Sequence, residues 1–284
     1  MGDKTVSIFH VGPQKCGTTW VYRCLQEHPE INCPPHDKTH YFSMYFHRGR
    51  EWYLNCFDGS PKKILFDPTP NYLRSPLAPK RIFEENPKSK IIMCFRHPIE
   101  RAFSHYWHEK KKFRFNFKFE EVLDNYDLFT NWVEPGFYAL HLERYLKYFS
   151  KEKILVQFFD DLQDDPETFL QELLRFVEID SHFKPSVLHK KINVALPPRS
   201  PSFAKIRKMF VTTVKGAGLY RPAKFLKHLM LDPWGKEVTE KKMETLQQVK
   251  PKVIEELAKV FEPDIMQIEA LLNVDLSHWR IQKH

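Results

Sequence analysis

Glycine is scarce in this chain, with nine in 284 residues. The shortage excludes Gly-rich linkers and collagen-like repeats, and it makes two glycines five positions apart near the amino end stand out. No apolar run approaches the roughly 20 residues that cross a bilayer, and the first buried strand begins almost at once. The chain is therefore expected to carry neither a signal peptide nor a membrane anchor. Its five cysteines (Cys16, Cys24, Cys33, Cys56 and Cys94) are odd in number and form no Cys-x-x-Cys pair, and no Asn-x-Ser/Thr acceptor occurs. Both absences point to a reduced, cytoplasmic protein. Acidic residues are missing from Ser181 to Leu231, where eleven Lys and Arg fall. Those eleven exceed the net charge of +8, so the basic character is local and suggests a local anionic partner rather than a uniformly cationic surface, and no nucleic-acid partner is expected.

Aromatic residues make up 14% of the chain, which suits a globular enzyme and argues against disorder. The organising stretch is the first thirty residues. Val6–Val11 reads as a short buried strand, Gly12-Pro13-Gln14-Lys15-Cys16-Gly17-Thr18-Thr19 as a turn, and Trp20–Glu27 as a helix. A glycine-flanked turn between strand and helix aims backbone N–H groups at one point, at the positive end of a helix dipole, and so makes an anion site. The spacing nearly fits the nucleoside-triphosphate loop G-x-x-x-x-G-K-[ST], but Thr18 holds the lysine position and the lysine, Lys15, lies inside the loop. The loop resembles the one that grips the 5′-phosphosulfate of 3′-phosphoadenosine 5′-phosphosulfate (PAPS) in sulfotransferases.

Further on, Ile64–Phe66 reads as a strand ending in Asp67-Pro68-Thr69-Pro70-Asn71-Tyr72, a stiff turn at the end of the sheet where α/β proteins place ligands. A helix over Pro79–Asn86 leads to the strand Lys90–Phe95. Arg96-His97-Pro98 then opens a helix with Ser104 two turns in, a second strand-to-helix junction with a fixed cation and a hydroxyl. Two anion sites on one sheet suggest a nucleoside with phosphates at both ends. This stretch is similar to the 3′-phosphate element of the same family, with His97 where Asp or Asn is common. His105 and His108 have chelating spacing but no evident third ligand, so no metal is expected. A helix over Gly136–Phe149, a strand over Lys153–Phe158 and a helix over Asp165–Val177 continue the β–α alternation. An amphipathic helix from Phe203 to Val214 falls in the basic segment, and helices over Thr239–Phe261 and Asp264–Leu272 read as packing.

Together these motifs identify the chain as similar to PAPS-dependent sulfotransferases, most of all the heparan-sulfate type and its bacterial relatives. The resemblance implies a single α/β domain over 1–284 with a central parallel sheet, flanking helices and a P-loop-like core. That core lies at about 5–180, with the basic loop and C-terminal helices at about 181–284. It implies PAPS as co-substrate, a small-molecule or saccharide acceptor, and transfer to oxygen or nitrogen. Lys15 and the loop amides of Cys16 and Gly17 would stabilise the leaving phosphate. Thr18 and Thr19 would hold its oxygens, Trp20 would line the nucleotide, and Arg96 and Ser104 would take the 3′-phosphate. The basic loop around Lys190 and Arg199 would close over it. Heparan-type relatives place a catalytic glutamate where this chain has Lys38, so the base is expected to be Asp37 or His40, with Asp67 third, unless a free amine needs less help. A metal-dependent nucleotide kinase or hydrolase and a non-catalytic polyanion binder are the alternatives.

Overall fold

The computed structural model describes residues 5–35, 38–57, 62, 64–110, 117–190 and 246–280. Its centre is a five-stranded, wholly parallel sheet of β1 (Val6–Gly12), β2 (Ile31–Asn32), β3 (Ile64–Asp67), β4 (Lys90–Phe95) and β5 (Ile154–Phe158), in the order β2-β3-β1-β4-β5. Parallel strands need covered faces, which explains why β1 and β4 read as nearly unbroken apolar runs. Side chains alternate across the sheet along β4. Ile91, Met93 and Phe95 enter the larger core with α3 (Ala78–Glu85), α4 (Pro98–Lys110), α6 (Tyr138–Leu146) and α9 (Pro251–Leu272). Ile92 and Cys94 enter the smaller core with α1 (Thr18–Glu27), α7 (Phe159–Asp164) and α8 (Pro166–Phe176). Short helices α2 (Gly49–Leu54) and α5 (Tyr126–Leu128) lie in the connections.

This strand order decides where ligands go. After β1 the chain builds toward β3 and β2, then crosses back to add β4 and β5 on the other side. The carboxyl ends of β1 and β4 therefore flank the switch point, where a crevice opens in such sheets. Gly12 pairs with Met93, so the turn after Gly12 and the turn after Phe95 are neighbours.

Through α8 the expected strands and helices agree with the observed ones to within three residues, the widest difference being α6, expected over Gly136–Phe149 and observed at Tyr138–Leu146, whereas the helix expected from Thr239 is observed from Pro251. Asp165 caps α8, its carboxylate accepting the Glu167 and Thr168 amides at 3.1 Å each. The expected break between the last two helices is absent: α9 runs from Pro251 through Pro263 to Leu272. Proline removes one helical hydrogen bond. Against that loss, Phe261, Ile265 and Ile268 are buried, and the Asp264 carboxylate accepts the Ala139 amide at 3.1 and 3.2 Å, anchoring α9 to the start of α6. The helix expected over Phe203–Val214, the start of the one expected from Thr239, and Asp37 and Arg199 lie outside the described residues.

Candidate active site

Strand β1 delivers the chain into the first turn at Gly12, whose φ is 115° and whose missing Cβ would lie 2.2 Å from the Pro70 carbonyl oxygen. Only glycine fits there. Gly17 at φ 81° precedes α1, and a Cβ on it would press on Leu162. Lys15 also takes the left-handed region, at φ 75°. Helix α1 has no side-chain cap, and the Thr18 hydroxyl is buried with no hydrogen-bond partner among the described residues. A buried hydroxyl without a partner at an uncapped helix start suits an oxyanion. The Trp20 indole is engaged within the protein: its N–H donates to the Leu188 carbonyl at 3.3 Å and its ring meets Phe169 edge-on. That bond ties α1 to the turn bearing exposed Lys190.

The second turn follows Phe95. The Arg96 guanidinium donates through Nε and Nη2 to Glu100 Oε2 at 3.2 and 2.9 Å, and lies 4.7 Å from the Phe159 ring centre. Its carbonyl accepts the Tyr138 hydroxyl at 2.7 Å, while the Tyr138 ring stacks on Phe95. Ser104 is half-buried two turns into α4. Cys16, at the bottom of the first turn, reports on the charge around it. Burial pushes its thiol up to about 12, and Arg101, Arg96 and Lys15 pull the other way. Lys15 belongs to the first turn, Arg96 to the second and Arg101 to α4, and the thiol itself stays protonated.

Arg101 was not picked out from the sequence. It is fully buried, donates through Nη2 to the Trp132 carbonyl, and leaves Nε and Nη1 without partners among the described residues. His105 lies near it, its imidazole held neutral by burial and by Arg101, Lys15 and His108, with a pKa lowered to about 2. Among the described residues no three His, Cys, Asp or Glu side chains cluster, at His105 and His108 or elsewhere. Surrounding cations also disfavour a metal ion there.

The turn after β3 carries the largest surprise. Asp67 is completely buried. Its Oδ2 accepts the hydroxyls of Thr39 at 2.7 Å, Tyr53 at 2.9 Å and Tyr72 at 2.9 Å, and its Oδ1 accepts Thr69 at 2.5 Å. Burial pushes this carboxyl up while the four hydrogen bonds hold it back. Completely buried, with three hydroxyls on its Oδ2 and one on its Oδ1, Asp67 has no open edge from which to act as a base or a metal ligand, which removes it from the expected candidates. His40 follows Thr39 at φ 54° and is half-buried, and a turn of π-helix, Tyr41–Tyr45, starts directly after it. Left-handed non-glycine residues and π-turns concentrate at functional sites. The 69–73 turn also touches the first anion loop: Gln14 donates to Asn71, and the Leu73 amide to the Val11 carbonyl at 2.9 Å.

Two strand-to-helix turns at adjacent carboxyl ends of a parallel sheet place the chain among α/β proteins that bind ligands at a switch point. The chain belongs to the sulfotransferase family: residues 6–257 match the family described as "Sulfotransferase domain". Over 203 residues it is 36% identical to the bifunctional heparan sulfate N-deacetylase/N-sulfotransferase 4 of Mus musculus. Over 201 residues it is 33% identical to the corresponding enzyme 3 of Homo sapiens. Each match takes in 64% of this chain but only 23% of the relative, so the chain spans under a quarter of the length of these curated relatives. In three dimensions it is similar to the sulfotransferase from Alicyclobacillus acidocaldarius, with a TM-score of 0.70 at 24% identity over 96% of this chain and 98% of that one, a likeness of fold.

Proposed function

We propose that this chain moves a sulfuryl group from PAPS to an amine or hydroxyl of a saccharide, releasing adenosine 3′,5′-bisphosphate. The observation that carries the reading is the register of the sheet, which sets Gly12 beside Met93 and so brings the turns bearing Lys15 and Arg96 to neighbouring strand ends. A single nucleotide would be held at its 5′ end by the 12–19 turn and at its 3′-phosphate by Arg96 and Ser104. PAPS supplies an activated sulfuryl group whose departure leaves charge on the 5′-phosphate. Lys15, the loop amides and the Thr18 and Thr19 hydroxyls stand ready to take up that charge. The acceptor lone pair forms the new bond to sulfur as the sulfur–oxygen bond to phosphate breaks, and the acceptor proton passes to His40. Asp37 is the other candidate for that proton. The relatives' names support a saccharide acceptor, and an N-sulfotransferase name favours an amine.

Sulfur-labelled PAPS tests this with two saccharides, one bearing free amines and the other N-acetylated with hydroxyls alone. Label on the amine-bearing chain, with bisphosphate released in equal amount, is expected. Label on neither, without bisphosphate release, contradicts the proposal.

A further inference from the structure

The Asp67 cluster does more than satisfy a buried acid. Four consecutive backbone amides around His40 are held by its hydroxyls. Thr69 Oγ1 accepts the Thr39 amide at 3.0 Å and the His40 amide at 3.4 Å. Thr39 Oγ1 accepts the Tyr41 amide, and the Tyr72 hydroxyl the Phe42 amide, both at 3.3 Å. The Thr39 and Tyr72 oxygens are themselves 2.7 Å apart. Beyond this anchor the His40 carbonyl accepts the Met44 and Tyr45 amides at 2.8 and 3.1 Å, which closes the π-turn. His40 thus sits between a hydroxyl lattice on one side and a π-turn on the other, in a backbone region that a residue with a Cβ occupies only when its surroundings impose it.

We infer that Asp67, acting through Thr39, Thr69 and Tyr72, is the positioning residue that fixes His40 for proton transfer beside the sulfuryl donor. The inference rests on the reading of His40 as the proton acceptor. Thr69 donates inward to Asp67, and Thr39 and Tyr72 share their protons between Asp67 and each other, which leaves lone pairs on all three oxygens for the amides, while Tyr53 donates to the same carboxylate. A buried polar network of this kind is rigid only when every member is satisfied, so losing one hydroxyl loosens the whole. The same turn is bolted to the anion loop through Gln14, Val11 and the Pro70 carbonyl against Gly12. One rigid piece therefore sets the distance between the base and the leaving group, and misplacing a reacting group by about 1 Å can cost around 100-fold in rate.

A double-mutant cycle separates this role from a merely structural one. Thr39→Val keeps the shape and removes the hydroxyl, Thr39→Ser restores it, and His40→Ala removes the base. Single-turnover rates, bisphosphate affinity by calorimetry and melting temperature are measured for each variant and for the Thr39→Val/His40→Ala pair. Thr39→Val should slow transfer by about tenfold or more while bisphosphate affinity stays within about twofold, and Thr39→Ser should recover most of the rate. In the His40→Ala background Thr39→Val should cost nothing further. Slow His40→Ala with a fully additive Thr39→Val loss, or Thr39→Ser as slow as Thr39→Val, overturns the inference and leaves His40 as the base. A wild-type rate for His40→Ala overturns both. Tyr72→Phe takes the place of Thr39→Val in the same cycle if the valine variant does not fold.

Discussion

Lys15 is the residue on which the chemistry turns, and its backbone explains its aim. At φ 75°, between two glycines that are also left-handed, it is held in the turn rather than carried on the following helix. In a nucleoside-triphosphate loop the lysine stands at the position of Thr18, one residue into α1. Here it arrives three residues earlier, inside the turn rather than on α1. Lys15→Ala should lower the transfer rate about 100- to 1000-fold, the size expected for one charge-stabilising group, with a much smaller effect on bisphosphate affinity. Single-turnover assays beside calorimetry check this. Lys15 and Arg96 could be read from sequence because each lies within a short strand–turn–helix pattern. Asp67 could not: Thr39 is 28 residues away and Tyr53 is 14, and no local pattern announces a carboxylate shared among such distant hydroxyls. Arg101 was hidden for the same reason, since its backbone acceptor is Trp132.

At the scale of elements, helix starts do most of the work. Helix α1 keeps its amino end free of a side-chain cap, facing the anion loop, whereas α8 is capped by its own Asp165. Helix α6 borrows Asp264 from α9, a cap supplied from more than a hundred residues away. Burial raises the Asp264 carboxyl to about 6 against the opposing pull of backbone amides. A carboxyl raised in the folded state favours stability at low pH. Its contribution is fully present below its unfolded value of 3.8 and lost as pH climbs through about 6. Asp264→Asn cannot ionise yet keeps an oxygen for the Ala139 amide. It should therefore be more stable than wild type at pH 7, by about 1–3 kcal/mol, and lose most of that advantage by pH 4. Urea unfolding at the two pH values decides this, and an unchanged difference between them would contradict it. The break expected between Phe261 and Asp264 is absent because this anchor, made with a residue 125 positions away, is not visible in the local pattern.

For the whole molecule, the sheet order is what turns two local motifs into one site. Alternating strands and helices were legible as a parallel α/β sheet, but nothing in the pattern ordered the strands. The crossing from β3 to β4 around β1 brings Gly12 beside Met93 and hence the two anion turns side by side. Without it, Lys15 and Arg96 would be separate basic residues 81 positions apart. The central claim is that one nucleotide is gripped at both ends, and calorimetry with adenosine 3′,5′-bisphosphate and adenosine 5′-monophosphate on wild type and Arg96→Ala tests it most directly. Wild type should bind the bisphosphate about 10- to 100-fold more tightly than the monophosphate, and Arg96→Ala should lose most of that preference while binding the monophosphate as before. A preference for the bisphosphate that survives intact in Arg96→Ala would contradict the account.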